Sequence, residues 1–214
     1  MKKAFIFDSD GVILNSEPEY MKQNMLYMDS LGISYNYDII KSMVGTHENY
    51  QIDYFVKNHP QKLSYDEVKK EWYDFLNEHP FDIAKAISPN VDVLVKYLKE
   101  KGYKMGIASN SSVEYVSDCA KTAGILDYME FVMSGLGMAK PKPNPEIYLE
   151  AAKRLGVTPS ECVVIEDSKV GIEAGKNAGM TVIALAEPIY GADQHEADYI
   201  VKNLIEICDI EKNL

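Results

Sequence analysis

Short apolar runs alternate with helical periodicity along most of the chain. An uninterrupted apolar stretch of four to eight residues is typical of a buried strand. Four stretches fit this description: residues 3–8, 103–109, 162–167 and 181–185. Between them apolar residues recur at helical spacing, as in Val91, Leu94, Val95 and Leu98. Strands that alternate with helices predict an α/β fold with a parallel sheet covered by helices on both faces.

The pattern changes between residues 16 and 80, where helical signals appear without a strand signal. Two capping boxes, each a serine followed three residues later by a glutamate, predict helix starts in this part of the chain. They are Ser16 with Glu19 and Ser64 with Glu67. We therefore expect residues 16–80 to form a small all-helical cap domain, inserted into a core of residues 1–15 and 81–214.

Composition and charge narrow the range of expected partners and compartments. The chain has 214 residues, with 22 basic and 33 acidic side chains and a formal net charge of -11. Nucleic acid and anionic membranes repel so acidic a surface, so neither is an expected partner, and no obligate protein partner is evident. Three widely spaced cysteines are typical of a reducing compartment. Without an apolar segment of exporting or membrane-spanning length, we expect a cytoplasmic protein.

Reactive side chains follow the predicted strands at the point where each strand ends. In an open parallel sheet, ligands bind outside the carboxyl ends of the strands, so these side chains are expected to converge. They are Asp8 and Asp10 after the first strand, Ser109 and Asn110 after the second, and Glu166 and Asp167 after the third, with Lys142 in a proline-rich turn. A single member of this set is explained by a turn or a helix cap, but the convergent set indicates a catalytic site.

Four segments resemble, in order and context, the motifs of the haloacid dehalogenase superfamily. They are FDSDGVILNSEP, IASNSS, KPNPEIYLEAAKRLGV and VVIEDSKVGIEAGKNAGM. The resemblance covers nearly the whole chain and is closest to the branch with a helical cap, which includes small-metabolite phosphatases and β-phosphoglucomutase. It implies a Rossmann-like, doubly wound core with the inserted cap as a lid.

The resemblance also implies a role for each side chain of the site. Asp8 would be the nucleophile that forms an aspartyl-phosphate, Asp10 the general acid–base, and Ser109 and Lys142 the groups that hold the phosphoryl oxygens. Mg²⁺ would be bound by Asp8, the backbone carbonyl of Asp10 and Asp167, with Glu166 adjoining. Crowded carboxylates need a cation, and hard oxygen ligands favour Mg²⁺, which agrees with these roles.

The catalytic lysine has two candidates, because Lys140 and Lys142 are both followed by proline. The spacing to the neighbouring motif residues matches the family when Lys142 is catalytic, and we predict Lys142. The dehalogenase branch of the superfamily lacks the second aspartate, so Asp10 implies transfer of a phosphoryl group. Ser9 and Asn15 depart from the usual family residues without removing a catalytic group.

Three functions fit the sequence. The first is a phosphatase that acts on a small phosphorylated metabolite, for example a sugar phosphate; the second is a phosphomutase; and the third is a non-catalytic phospho-acceptor module. A mutase resemblance would require a histidine in the first cap helix, where Tyr20 stands, and an arginine near Glu48. An anionic Glu48 would repel a second phosphate, which favours the phosphatase. The other candidate substrate contacts are Asn110, Thr46 and His47.

Overall fold

Six parallel strands form a single sheet in the unit made of Met1–Asn15 and Ile83–Leu214. The structure, a computed structural model, describes residues 1–43, 48–138, 140–187 and 191–214. The strands are β1 (Ala4–Phe7), β2 (Lys104–Ser109), β3 (Val132–Ser134), β4 (Cys162–Glu166), β5 (Thr181–Leu185) and β6 (Tyr199–Val201). Their order across the sheet is β3-β2-β1-β4-β5-β6. The α/β fold and the four predicted strands are confirmed, whereas the short strands β3 and β6 were not predicted.

Ten α-helices lie in the described part of the chain. Four belong to the helical insertion: α1 (Glu17–Leu31), α2 (Tyr37–Met43), α3 (Glu48–Asn58) and α4 (Tyr65–Glu78). Six belong to the sheet unit: α5 (Ile83–Ala86), α6 (Val91–Glu100), α7 (Val113–Thr122), α8 (Glu146–Leu155), α9 (Lys169–Asn177) and α10 (Ile207–Ile210).

Both faces of the sheet are buried because alternate side chains of each strand point in opposite directions. On β1, Phe5 and Phe7 join a core cluster with apolar residues of α6, α7 and α10. Ala4 and Ile6 join a second cluster with residues of α8 and α9. All four residues of β1 are fully buried. Burial of apolar surface on both faces is the principal favourable contribution to the stability of such a sheet.

The helical insertion forms a second unit, Ser16–Asp82, with a core of its own. Its described residues contain no strand. The rings of Tyr27, Phe55 and Trp72 pack within 4.9–5.2 Å of one another, centroid to centroid, at separations typical of stabilising aromatic pairs. Among the described residues, no helix of either unit is both long enough and apolar enough to cross a membrane.

One of the two predicted capping boxes is confirmed and the other is wrong. The Ser64 hydroxyl accepts a hydrogen bond from the Glu67 amide, and the Glu67 carboxylate accepts one from the Ser64 amide. Ser16 makes no such bond, because its own backbone is helical (φ −78°, ψ −25°), and its carbonyl accepts from the Glu19 amide instead. A capping serine must be extended for its hydroxyl to reach the first turn.

Candidate active site

The carboxyl ends of the three central strands carry the buried polar groups of the site. Phe7 of β1 lies between Ile107 of β2 and Ile165 of β4, so these strands end at the same edge. The four side chains that follow at this edge are 0–7% exposed: Asp8, Ser109, Glu166 and Asp167. Carboxylate oxygens of Asp8, Glu166 and Asp167 lie within 4.8 Å of one another. Three of the four predicted metal ligands are therefore brought together through their carboxylates.

Lys142 is the cation inside this acidic cluster. Its Nζ donates hydrogen bonds to Asp8 Oδ1 at 2.6 Å and to Glu166 Oε1 at 2.7 Å. Burial alone would lower the pKa of Lys142, but the carboxylates of Asp8 and Glu166 outweigh burial and raise the pKa well above its ordinary value. The Lys142 ammonium is therefore held in its charged form. Lys140, the other candidate, is exposed.

Glu166 is held by five hydrogen bonds. Its Oε1 accepts from Lys142 and from the Tyr148 hydroxyl, while Oε2 accepts from the Asp167 amide and from both the amide and the hydroxyl of Ser168. The Lys142 ammonium also lies 4.9 Å from the centre of the Tyr148 ring. A carboxylate has roughly four lone-pair positions, so Glu166 is already saturated with donors. These contacts suit Glu166 to anchor the Lys142 ammonium.

Two glycines leave the space that the acidic side chains occupy. Gly11 has a φ of +81°, and a Cβ there would lie 2.0 Å from Asp167 Oδ2. Gly171, in the first turn of α9, has no such φ, yet a Cβ there would lie 1.7 Å from Glu166 Oε1. Any larger residue at either position would displace a carboxylate of the site.

Asp10 is bound by hydroxyl groups of the segment that follows β2. The Ser111 hydroxyl donates to Asp10 Oδ2 at 2.7 Å, and the Tyr115 hydroxyl donates to Asp10 Oδ1 at 3.4 Å. The Ser111 amide donates to the Ser109 hydroxyl oxygen at 3.0 Å. That bond uses a lone pair of Ser109 and leaves its hydroxyl hydrogen available to a ligand. Asn110 is exposed. A Cβ added at Gly135 would lie 2.8 Å from Asn110 Oδ1, so this glycine leaves room for the Asn110 side chain.

Ser111, Tyr115, Tyr148 and Gln194 contact the site residues but were not predicted. Gln194 Nε2 donates to the Asp167 carbonyl at 2.6 Å and to the Leu185 carbonyl at 2.8 Å, which ties the segment after β5 to the acidic loop. Ser111 and Tyr148 lie within the segments IASNSS and KPNPEIYLEAAKRLGV, but no role was assigned to them. No sequence spacing marks the contacts of Ser111 and Tyr115 with Asp10, because Asp10 is more than 100 residues away along the chain.

The predicted substrate contacts in the insertion cannot be placed. Thr46 and His47 lie outside the described residues. Glu48 begins α3, but its side chain is outside the described part as well.

The charges of the site fit a hard divalent cation. Burial raises the pKa of Asp8 to about 7, against the lowering effect of Lys142 and with a further increase from Glu166 and Asp10. A single ammonium therefore does not compensate the neighbouring carboxylates. Asp167, which lies next to Asp8, supplies a second carboxylate of the kind that Mg²⁺ binds.

Comparisons with known proteins identify the family. The family model for haloacid dehalogenase-like hydrolases matches residues 5–185. The chain is 32% identical to "Putative phosphatase YhcW" of Bacillus subtilis over 203 residues, which cover 93% of this chain and 90% of that protein. It is 30% identical to "Phosphorylated carbohydrates phosphatase" of Thermotoga maritima over 189 residues, which cover 88% and 84% respectively.

A solved structure extends the similarity over the whole fold. The crystal structure of "putative beta-phosphoglucomutase" from Thermotoga maritima superposes with a TM-score of 0.83 at 26% identity, and 100% of each chain is covered. The chain belongs to the haloacid dehalogenase-like hydrolases, and the resemblance stated from its motifs is confirmed. Family membership and the phosphatase names of the relatives support a phosphoric monoester hydrolase.

Proposed function

We propose that the chain is a Mg²⁺-dependent phosphatase that hydrolyses a small phosphorylated metabolite through an aspartyl-phosphate on Asp8. The observation that carries the proposal is the buried contact between Asp8 and Lys142, with Asp167 beside it. A carboxylate that must attack a phosphate dianion needs cations on both reactants. The phosphatases among the relatives, one of which is named for phosphorylated carbohydrates, make a sugar phosphate the first substrate class to test.

The residues of the site would bind the phosphoryl group as follows. Lys142 would place its ammonium against the phosphoryl oxygens, and Glu166 would hold that ammonium in position. The Ser109 hydroxyl, whose hydrogen is free, would donate to another oxygen. When bound to Asp8, the Asp10 carbonyl and Asp167, Mg²⁺ would offset the repulsion between the Asp8 carboxylate and the phosphate.

Two proton transfers at Asp10 would complete the reaction. As Asp8 Oδ forms its bond to phosphorus and the ester P–O bond breaks, protonated Asp10 would give its proton to the leaving alkoxide. A water molecule would then lose a proton to the Asp10 carboxylate and attack the phosphorus. The bond between Asp8 and phosphorus would break, which releases inorganic phosphate and restores both carboxyl groups.

We further propose that residues 16–80 serve as the cap over this chemistry. The described residues of the insertion form a unit with its own core, which suits a body that moves without unfolding. Closure of such a cap would exclude bulk water while one hydrolytic water is admitted.

A screen of phosphorylated metabolites, scored by released inorganic phosphate, tests the function directly. We expect turnover with Mg²⁺, none with a chelator, and recovery when Mg²⁺ is added back. The matched control is Asp8→Asn, which preserves the size of the side chain but is not a nucleophile. Undiminished hydrolysis in chelator, or by Asp8→Asn, would refute the mechanism.

The alternative function is a phosphomutase, which the similarity to the Thermotoga maritima structure favours. A mutase must keep the aspartyl-phosphate until a second hydroxyl of the sugar collects it. Tyr20 instead contacts Phe81, with ring centroids 5.5 Å apart, and has no cationic group to grip a second phosphate. Incubation with β-glucose 1-phosphate, with and without the 1,6-bisphosphate, separates the two functions. Isomerisation that depends on the bisphosphate and releases little phosphate would favour the mutase. A stable phosphoprotein without turnover would instead indicate a phospho-acceptor.

A further inference from the structure

The Asp10 carboxylate is held through both of its oxygens by side chains of one short segment. Ser111 precedes α7 and donates to Oδ2, while Tyr115 lies in the first turn of α7 and donates to Oδ1. Asp10 belongs to the loop after β1, which is more than 100 residues away in sequence. A carboxylate that accepts from two hydroxyls on opposite oxygens is restricted in its rotation about the Cβ–Cγ bond.

The position of the Tyr115 hydroxyl is itself fixed. Its amide donates to the hydroxyl of Ser112, the N-cap of α7, at 3.2 Å, and its ring packs against the buried core of the sheet unit.

The same segment carries the hydroxyl that is suited to bind the phosphoryl group. The Ser111 amide donates to the Ser109 hydroxyl oxygen, so the Asp10 carboxylate and the Ser109 hydroxyl are joined through a single residue. A proton donor must lie within hydrogen-bond reach of the leaving oxygen, and a displacement of 1 Å can cost about 10²-fold in rate. Coupling both groups to one segment fixes the distance between the phosphoryl site and the proton donor.

We infer that Tyr115 and Ser111 are positioning residues that orient the Asp10 carboxyl toward the leaving oxygen of the phosphate ester. The inference rests on the proposed function, because it requires Asp10 as the general acid. Neither residue needs to touch the substrate.

The test is a series of aryl phosphates of nearly equal size, from 4-nitrophenyl to phenyl to 4-methoxyphenyl phosphate. An acidic leaving group departs without help, while phenol, with a pKa of about 10, gains from proton transfer. For each variant, kcat/KM is plotted against the pKa of the leaving group, because kcat/KM reports the step that forms the aspartyl-phosphate.

We expect Tyr115→Phe and Ser111→Ala to steepen this dependence toward that of Asp10→Ala. In these variants kcat/KM for phenyl phosphate should fall about tenfold more than kcat/KM for 4-nitrophenyl phosphate. This loss is smaller than the rate enhancement of about 10²–10⁴-fold that general acid catalysis supplies, because Asp10 is still present. In the Asp10→Ala background, Tyr115→Phe should have no further effect, since the two changes remove the same contribution.

Two controls separate positioning from a loss of structure. Tyr103→Phe removes a tyrosine hydroxyl that bonds to Glu211, away from Asp10, and should keep the wild-type slope. Thr158→Ala breaks a capping pair with Glu161, which lowers stability at a place outside the segment of residues 109–115. It should also keep the wild-type slope.

A uniform loss across the series, an additive loss in the Asp10→Ala background, or a steeper slope in Thr158→Ala would each overturn the inference. If Asp10→Ala itself leaves the slope unchanged, Asp10 is not the general acid, and the proposed mechanism fails together with the inference. If Asp10→Ala steepens the slope while Tyr115→Phe and Ser111→Ala do not, only the inference fails.

Discussion

Replacement of Lys142 by methionine should destabilise the protein in a way that depends on pH. Methionine approximates the length of lysine, so it retains much of the packing over Tyr148 while removing the charge. The ammonium that it replaces pairs with both Asp8 and Glu166 in an almost fully buried position. Removal of one partner from a buried ion pair is costly because the other charge is left uncompensated.

Glu166 determines how much the free energy of unfolding falls in Lys142→Met. Burial would raise the pKa of Glu166, but Lys142 outweighs burial, so the pKa lies below its ordinary value of 4.5. Without Lys142, Glu166 can avoid being buried as an anion by taking up a proton, which costs about 3.5 kcal/mol at pH 7, at about 1.4 kcal/mol per pH unit. The remaining donors still stabilise the anion, so we expect a loss of about 2–3 kcal/mol. Asp8, whose pKa is already about 7, adds little at or below that pH.

The sign of the pH dependence follows from the same argument. In Lys142→Met, burial without the ammonium raises the pKa of Glu166, and a carboxyl group with a raised pKa destabilises the fold more as the pH rises above its unfolded pKa. The difference between the wild type and Lys142→Met should therefore shrink to less than about 1 kcal/mol at pH 5.

Urea unfolding in the presence of a chelator, between pH 5 and pH 8, measures this difference. Hydrogen exchange of the β1 and β4 amides reports on the sheet unit separately. Lys140→Met is the matched control and should stay within about 0.5 kcal/mol of the wild type, because Lys140 is exposed. Equal stability of the two variants at pH 7, or a loss as large at pH 5 as at pH 7, would refute the reasoning.

Three further outcomes are expected. Gly102→Ala should cost about 1–2 kcal/mol in urea unfolding and Gly11→Ala at least as much, because both glycines have a φ near +80° and a Cβ at Gly11 also meets the Asp167 carboxylate. Only Gly11→Ala should raise the Mg²⁺ concentration for half-maximal activity, by about tenfold or more, since a Cβ at Gly102 meets nothing within 4 Å; equal Mg²⁺ dependence would contradict this. Tyr148→Phe should cost about 1 kcal/mol of stability through the lost bond to Glu166, and a neutral effect would show that the bond contributes nothing. Asp8→Asn should form no phosphoprotein in rapid-quench labelling, and normal labelling would mean that another residue is the nucleophile.

The sequence predicted the elements whose signal is carried by neighbouring residues. β1, β2, β4 and β5 are buried strands with long apolar runs, and all four were found. β3 and β6 are three-residue strands at the edges of the sheet, where exposed or half-buried side chains weaken the pattern. The capping motif is present at Ser16, but the Ser16 backbone has helical dihedral angles and its hydroxyl makes no capping bond. The motif alone does not specify this backbone conformation.

Only those residues of the site that follow directly from the positions of the strand ends could be predicted from the sequence. Parallel strands place Asp8, Glu166 and Asp167 together whatever surrounds them, so their convergence followed from topology. The bond between Tyr115 and Asp10 depends on how far α7 approaches the loop after β1, and no periodicity encodes that distance. The roles of these residues in catalysis remain predictions.

The central position of β1 in the sheet has a consequence for synthesis of the protein on the ribosome. β1 is made first, but its neighbours come far later, because Ala4 pairs with Lys104 on one side and with Cys162 on the other. At about 5–20 residues per second, about 5–20 s pass before β2 emerges and about 8–30 s before β4 does. Until β2 emerges, β1 is an unpaired apolar segment next to helices that can form from local contacts. Nascent chains arrested before Lys104 should therefore carry a folded helical insertion and an exposed β1, which makes them substrates for chaperones that bind extended apolar segments.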